Sequence, residues 1–590
     1  MQKTDNNVAH VAKVRHSLAH LLAIEVLKFD PKAKLAIGPV IDNGFYYDFE
    51  FSAGKAPTEK DLKDFQKGMK KLIGGKLPFT YAEVTADEAK KMFADQPYKM
   101  ELIADLIKDG ATLSVYKTGD KFTDLCAGPH IENTSEIDAD GFELTKIAGA
   151  YWRGSEKNKM LTRIYGVAFE TGADFEAYKK NLEEAEKRDH RKIGDAMDIF
   201  YFDEEIGKGL PIWLPNGNII KEQLENWAKE TEEKWGYQRV TTPLITKEHL
   251  FHTSGHLPLY KDSMYAPIVI EDENYYIKPM NCPFHHKTFA ARPKSYRDLP
   301  VRLAEYGWCH RFEDSGSLFG LMRVRGMQMN DAHIYIQKEN AVDEFVNVIK
   351  MHEYYYKILG ITNYEMELAL RDPNKMDKYH GDEDDWKDAE NMTVEAMKKS
   401  GVPFKIVNEG AAFYGPKMDF QIYSSIGRAF TASTNQLDLY MGKKFGLEYT
   451  DKDSTRKTPA IIHRAPLGTH ERFIGFLIEH FAGNFPTWLS PIQVAVIPVR
   501  ENHDEAAKKM HDVLRENGIR CTTYGGNSSL GKRIHEAKNY KVPYLVVIGD
   551  KEVESKTFQV ELRSGDKIAF SESDLIVRIK KEITTRLDQK

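Results

Sequence analysis

Cysteine is scarce in this chain: four in 590 residues, at Cys126, Cys282, Cys309 and Cys521. So few and so scattered, they exclude a disulfide framework and fit a reducing compartment, with thiols free for metal binding or catalysis. Long apolar runs are absent as well; none approaches the roughly 18 residues of a membrane span. The opening "MQKTDNNVAH" is polar and lacks the apolar core of a secretory signal. The expected location is the cytoplasm, with no membrane partner. Neither sign of charge dominates: 83 Lys and Arg stand against 89 Asp and Glu, for a net charge of −6. Such a balance excludes a general polyelectrolyte trap for nucleic acid; an RNA would be held by local basic patches and by shape. There is no Gly-x-x-x-x-Gly-Lys-Ser/Thr loop, internal repeat or low-complexity segment, so a P-loop nucleotide site and a solenoid are excluded too.

What is present reads as a soluble multidomain α+β protein, with 41% hydrophobic and 29% charged residues. The length allows roughly three to four domains. Residues 1–174 alternate short strands and helices, and "LAIGPVIDNGFYYDFEF" (35–51) reads as two strands around an Asn-Gly turn. Residues 175–194 are dense in charge and read as a solvated linking helix. Residues 195–487 hold a helix closed by Gly236, a strand "YQRVTTPLI" (237–245), and many strands with long helices between them, which predicts a mixed, largely antiparallel sheet. Residues 488–590 alternate strand and helix and predict a small parallel sheet.

Several stretches carry chemistry. In "HSLAHLL", His16 and His20 are four apart on one helix face; in "DLCAGPH", Cys126 and His130 are also four apart. The four could be the metal centre of a hydrolase, a metal-free site, or buried structural histidines. In "RLAEYGWCHRFEDSGSLFGLMRVRG" (302–326), Arg302, Arg311, Arg323 and Arg325 alternate with Glu305 and Glu313. That pattern fits either a hairpin laced by cross-strand ion pairs or an arginine clamp for phosphate.

The segment "RFE" (311–313) with "RVRG" resembles motif 2 of class II aminoacyl-tRNA synthetases. The helix and strand ending at Pro243 resemble motif 1, and "GTHERFIGFLIEHF", with Gly468, Glu471 and Arg472, resembles motif 3. Within that class, "KPMNCPFH", "NDAHIY" and "HRAPLGTHERF" supply Cys282, His333 and His463, one thiolate and two imidazoles with an open fourth position. The set is similar to the zinc ligands of the threonyl-tRNA synthetase family. The resemblance implies a class II antiparallel catalytic core, one Zn²⁺ per subunit, Mg²⁺ with ATP, and L-threonine and threonine tRNA as partners of a homodimer. A hydrophobic pocket separates threonine from valine poorly, whereas a site that binds the hydroxyl rejects the analogue lacking it by roughly 10⁴ or more. By the same resemblance Asp331 takes the hydroxyl and Tyr414 the amino group. Arg311 holds carboxylate and α-phosphate, Glu313 the adenine, and Arg323 and Arg472 the nucleotide. Lys417 and Gln436 complete the pocket, and His256 moves a proton in transfer to tRNA. Met329 and Thr431 stand where glutamines are common in the family.

Serine differs from threonine by one methyl, worth roughly 1–3 kcal/mol, so a second, hydrolytic sieve is expected. The N-terminal block resembles the α+β editing domain of bacterial-type members, which implies a seryl-tRNA hydrolysis site of His16, His20, Lys99, Asp124, Cys126 and His130, working without metal. The resemblance begins near Val8, and a small ubiquitin-like module common in relatives is not expected here. The last block resembles an α/β anticodon-binding domain. Asn527 and Glu552 are implied for base contacts. Glu561 stands where an arginine is usual, and Arg563, two residues on and on the same strand face, is expected to replace it.

Overall fold

The computed structural model describes residues 2–423, 429–526 and 528–589, the side chains of residues 2–9 and of Ala429 excepted. The chain forms two compact units, Met1–Glu183 and Glu184–Lys590.

In the first unit the helix Gln2–Phe29 buries Leu18, Leu21 and Leu22 against strand Gly44–Glu50, whose alternate residues Phe45, Tyr47 and Phe49 face the same core. That strand pairs antiparallel with Lys34–Leu35, Val40–Ile41 and Met160–Ala168, and the last pairs with Phe142–Tyr151. A separate three-stranded sheet joins Phe79–Glu83, Ser114–Thr118 and Phe122–Leu125. The expected hairpin is present, but its two-residue turn is Asp42-Asn43, with Asn43 left-handed at φ 59° and Ile41 paired with Gly44. Gly44 serves packing instead: a Cβ there would lie 2.1 Å from the Gly166 carbonyl oxygen.

The charged stretch 175–194 lies on two helices rather than one, Gly172–Lys187 and His190–Ala196. Asp189 breaks the run by capping the second, its carboxylate accepting the Arg191 N–H at 2.8 Å.

The second unit is built on an eight-stranded sheet. Its order is Gln238–Arg239, Val301–His310, Gly326–Ile336, Ala460–Ala465, Ala429–Asp438, Lys417–Tyr423, Tyr364–Ala369, Phe404–Val407. Every pairing is antiparallel except the outermost one on each side. Helices Pro215–Lys234, Ala341–Ile358 and His470–Phe481 bury residues in one continuous core with the sheet. The expected strand 237–245 contributes only Gln238–Arg239 to this sheet; Pro243 has no N–H for a ladder, and Ile245–Lys247 joins a small sheet with Glu273–Ile277.

The C-terminal sheet is mixed, not parallel. Cys521–Thr523, Val494–Pro498 and Tyr544–Ile548 run parallel, but Thr557–Leu562 and Lys567–Ser571 form an antiparallel hairpin at its edge. Only four residues join those last two strands, too few for the crossover that parallel pairing needs.

Candidate functional site

Strand register assembles the main site. His333 faces His463, His463 faces Gln436, and Gln436 faces Lys417, so four residues spread between positions 333 and 463 stand in one row across the sheet. The two-residue strand period adds Asp331 and Met329 to the same face as His333. Cys282, the first residue of helix Cys282–Ala290, meets the row: its sulfur and one nitrogen from each of His333 and His463 lie within 4.8 Å of one another. These residues line a cavity of about 340 Å³, together with Arg311, Tyr414, Thr431 and Arg472.

Neighbours hold each group. Asn281 Nδ2 donates to Asp331 Oδ2 at 3.0 Å, in space left by Gly307, where a Cβ would lie 2.2 Å from Asn281 Oδ1. Asp438 Oδ2 lies 2.9 Å from His463 Nε2. Tyr414 donates its hydroxyl to Gln436 Oε1. Lys417 Nζ contacts Asp419 Oδ2 at 2.8 Å. Gly468 adopts φ +54° beside the Ala432 carbonyl, where a Cβ would stand 2.7 Å away. The turn lets Thr469 cap the next helix by accepting the Arg472 N–H at 3.3 Å, which points the first helical turn at the cavity.

Other expected residues are placed differently. Of the four arginines in 302–326, Arg311 is the one that lines the cavity. Arg323 pairs with Glu313 through Nε (3.0 Å) and Nη2 (2.9 Å), and Arg302 forms a bidentate pair with Glu344 at 2.5 and 2.8 Å. Within this stretch only Arg323 and Glu313 pair with each other; Arg302 pairs with Glu344 on helix Ala341–Ile358, and Arg311 faces the cavity. His256 is buried one layer back: its Nε2 contacts Met280 Sδ at 2.9 Å, and Met280 lines the cavity. Its Nδ1 is 2.7 Å from Ser254 Oγ. Burial, with the charges of Arg311 and His463, pushes the His256 pKa down to about 4.

The first unit has its own pocket, of about 540 Å³, lined by His16, His20, Lys99, Asp124 and Cys126. Cys126 Sγ lies 3.2 Å from His130 Nε2 and 3.4 Å from His16 Nε2, and accepts the Gly128 N–H at 3.3 Å. Ser17 Oγ is 3.0 Å from His130 Nδ1. Burial lowers the pKa of all three histidines and raises that of the thiol to about 11. One donor atom from each of His16, His20, Cys126 and His130 falls within 4.8 Å of the others, so this cluster, like the first, has the dimensions of a metal site. Beside it Lys99 Nζ approaches Asp124 Oδ1 at 2.5 Å, as a charge contact without hydrogen-bond alignment, while Tyr47 donates its hydroxyl to Asp124 Oδ2 at 2.6 Å.

In the C-terminal block Arg563, Glu561 and Glu552 already have partners within the chain. Arg563 donates to the carbonyls of Phe485 (2.7 Å) and Lys541 (3.0 Å), and burial pushes its pKa down to about 10. Its guanidinium is therefore a brace between segments, not a free base-reading fork, which corrects the expectation for that residue. Glu561 pairs with Lys538 at 2.5 Å. Glu552 Oε2 accepts the Gly549 N–H at 3.0 Å and closes the first turn of helix Asp550–Ser555. Asn527 lies outside the described residues.

Tyr47, Asn281 and Asp438 were not singled out from the sequence. Tyr47 had a signal, as a polar-tipped residue on the buried face of the hairpin; Asn281 lies within "KPMNCPFH" and Asp438 two residues after Gln436, but only the fold brings their side chains to the site.

Residues 266–481 match the model of the class II tRNA synthetase core domain (G, H, P, S and T). Residues 493–582 match an anticodon binding domain, and 113–165 the threonyl and alanyl tRNA synthetase second additional domain. With the antiparallel sheet and its cavity, these define a class II aminoacyl-tRNA synthetase. The chain is 46% identical over 576 residues to the threonine–tRNA ligase of Thermotoga neapolitana, covering 97% of this chain and 88% of the relative. It is 44% identical over 577 residues to that of Clostridium tetani, with the same coverage. Among solved structures, the RNA binding domain of threonyl-tRNA synthetase from Cryptosporidium parvum aligns with a TM-score of 0.64 at 33% identity, covering 67% of this chain and 98% of that one. A putative threonyl-tRNA synthetase from Aeropyrum pernix aligns at 0.59 and 28%, over 68% of this chain and 96% of its own. The chain belongs to the threonine–tRNA ligase family.

Proposed function

We propose that the chain activates L-threonine with ATP in the eight-stranded-sheet cavity, transfers it to threonine tRNA, and hydrolyses mischarged seryl-tRNA in the pocket of the first unit. The observation that carries the reading is the row of His333, His463, Gln436 and Lys417, with Cys282 against it and Asp331 two residues along the strand.

Cys282, His333 and His463 would hold zinc: one sulfur and two nitrogens converge, and the spare nitrogen of each imidazole is already hydrogen-bonded. When bound, the metal supplies a Lewis-acidic open position for the amino group and hydroxyl of threonine. Asp331, aimed by Asn281, accepts the substrate hydroxyl, and Tyr414 with Gln436 faces the amino group. Arg311 and Arg472 neutralise the carboxylate and α-phosphate as the carboxylate attacks phosphorus and pyrophosphate, with its Mg²⁺, leaves. Glu313 and Arg323 act as a pair at the nucleotide. His256, neutral at physiological pH, is the residue we assign to moving the proton of the tRNA ribose hydroxyl in the second step, which requires Met280 to give way and free Nε2. Met329 and Thr431 shape the pocket without adding charge.

The domain limits we propose are 1–174 for editing, 175–194 as linker, 195–487 for catalysis and 488–590 for the anticodon, with Asn527 and Glu552 as base contacts. A homodimer is supported by the exposed apolar residues Leu244 and Ile245 next to Pro243, and by Ile268, Val269 and Ile270 in the adjoining small sheet. No described helix is long and apolar enough to cross a membrane; the proposed location is the cytoplasm.

Threonine-dependent ATP–pyrophosphate exchange, with and without zinc chelation, tests the main reading; exchange that ignores threonine overturns it. His16→Ala should leave threonylation intact while seryl-tRNA accumulates, and unchanged seryl-tRNA hydrolysis would remove the editing assignment.

A further inference from the structure

Behind the metal-ligand triad a row of buried groups continues into the protein. His333 Nδ1 lies 2.8 Å from His285 Nδ1, and His285 Nε2 lies 3.1 Å from Glu305 Oε2. The two rings meet edge to face, with centroids 4.7 Å apart. Glu305 is anchored in turn, accepting the Thr242 N–H at 2.7 Å and the Thr242 hydroxyl at 2.8 Å, with Lys278 Nζ 3.7 Å away. His333, His285, Glu305 and Lys278 are all buried. His285 sits three residues after Cys282 on helix Cys282–Ala290, so one helix delivers both a ligand and this support.

Proton accounting along the row leaves one arrangement for neutral rings. Burial opposes a charge on Glu305, but the His285 contact, the Thr242 N–H and Lys278 hold its carboxyl below the ordinary glutamate range. An ionised carboxylate only accepts. His285 Nε2 must therefore carry the hydrogen, which leaves His285 Nδ1 a bare acceptor. His333 Nδ1 then donates to it, and His333 Nε2 keeps the lone pair a metal ligand requires. His463 reaches the same condition through Asp438, with Nδ1 left for the metal. His285 has both nitrogens engaged and is not a fourth ligand.

We propose that His285, oriented by Glu305, is a positioning residue for the zinc centre: it fixes the tautomer and ring direction of His333 and so sets the affinity of the triad for zinc. The proposal rests on the zinc reading above. Support of this kind is commonly worth about 10–100-fold in metal affinity.

The test is the zinc dissociation constant of the full-length chain, read by competition with a chromophoric chelator, with circular dichroism to confirm the fold. His285→Phe keeps a ring but removes both hydrogen bonds, and should weaken zinc binding by about 10–100-fold. His285→Gln, whose amide can accept from His333 and donate to Glu305, should recover most of that loss; a packing role alone would give no such rescue. Glu305→Gln should weaken binding in the same direction and carries the test if His285→Phe does not fold. Wild-type zinc affinity in folded His285→Phe or Glu305→Gln overturns the proposal, as does a His285→Gln no tighter than His285→Phe. Cys282→Ala separates the two levels: if it keeps wild-type zinc affinity, the zinc reading itself fails, whereas its loss of zinc beside an unaffected His285→Phe sinks only the positioning role.

Discussion

Lys99 and Asp124 meet inside the first unit with Nζ 2.5 Å from Oδ1, both side chains almost wholly removed from solvent. A buried pair of this kind contributes little net stability, but breaking it strands a charge, at a cost of about 3–5 kcal/mol. Asp124→Asn, which leaves Lys99 uncompensated, should lower the unfolding free energy of this unit by about that amount. Asp124→Asn with Lys99→Met should recover a large part of it. Seryl-tRNA hydrolysis should be lost in both variants, because the double replacement restores packing without restoring the charges. Denaturant unfolding of the full chain, followed beside a hydrolysis assay, checks both halves. A double variant no more stable than the single one contradicts the argument.

The two histidine–cysteine clusters make opposite predictions about metal. At Cys282 the imidazoles present one lone pair each to a common point. At Cys126 the sulfur is already flanked by His16, His130 and the Gly128 N–H. We expect one tight zinc per chain, abolished by Cys282→Ala and untouched by Cys126→Ala. Metal analysis of the purified variants decides it. A Cys282→Ala chain that keeps one tight zinc, then loses it on Cys126→Ala, would place a metal in the editing pocket.

Much of this was legible in the sequence because catalytic chemistry clusters in short motifs. "NDAHIY" named Asp331 and His333, and the strand Gly326–Ile336 then puts both on one face. What could not be read was anything decided by register between distant strands. Asp438 and Glu305 become partners of His463 and His285 only through pairing across the sheet and packing of the helix against it. The C-terminal edge hairpin was missed because strand–helix alternation stops at Ser555 and a short loop follows Leu562. The expectation for Arg563 rests on a family arginine shifted two residues along a strand face, and face does not reveal which carbonyls wait at the strand end.

Arg563 should therefore behave as a brace. It donates to the Phe485 and Lys541 carbonyls, with Ser490 Oγ 3.3 Å from Nη2. Hydrogen bonds from a charged donor contribute about 1.5–3 kcal/mol each, so losing the two carbonyl bonds in Arg563→Ala should cost about 3–6 kcal/mol of stability in the C-terminal sheet. Below the melting transition, discrimination between threonine tRNA and other tRNAs should be unchanged. Thermal unfolding together with tRNA binding at low temperature checks this; lost tRNA selectivity in a fully folded variant would return Arg563 to base reading.

Glu471, on the first turn of helix His470–Phe481, makes the catalytic unit sensitive to pH. Its side chain is fully buried, with Oε2 accepting the Gln328 N–H at 3.0 Å, and burial pushes its pKa up to about 7 from the ordinary 4.5. A raised carboxyl pKa means the folded state holds its proton longer than the unfolded state. Below pH 4.5 the group is protonated in both states, and its contribution is complete. Between 4.5 and about 7 only the unfolded state ionises, so stability falls as pH rises. Above that window both states are ionised and the loss is constant, at about 3 kcal/mol. Glu471→Gln has no such proton to hold. The stability of the wild type relative to the variant should therefore decline by about 3 kcal/mol across the window and stay level on either side. Denaturant midpoints at half-unit pH steps measure it, and a difference that is flat from acid to neutral pH would show that Glu471 ionises normally in the folded protein.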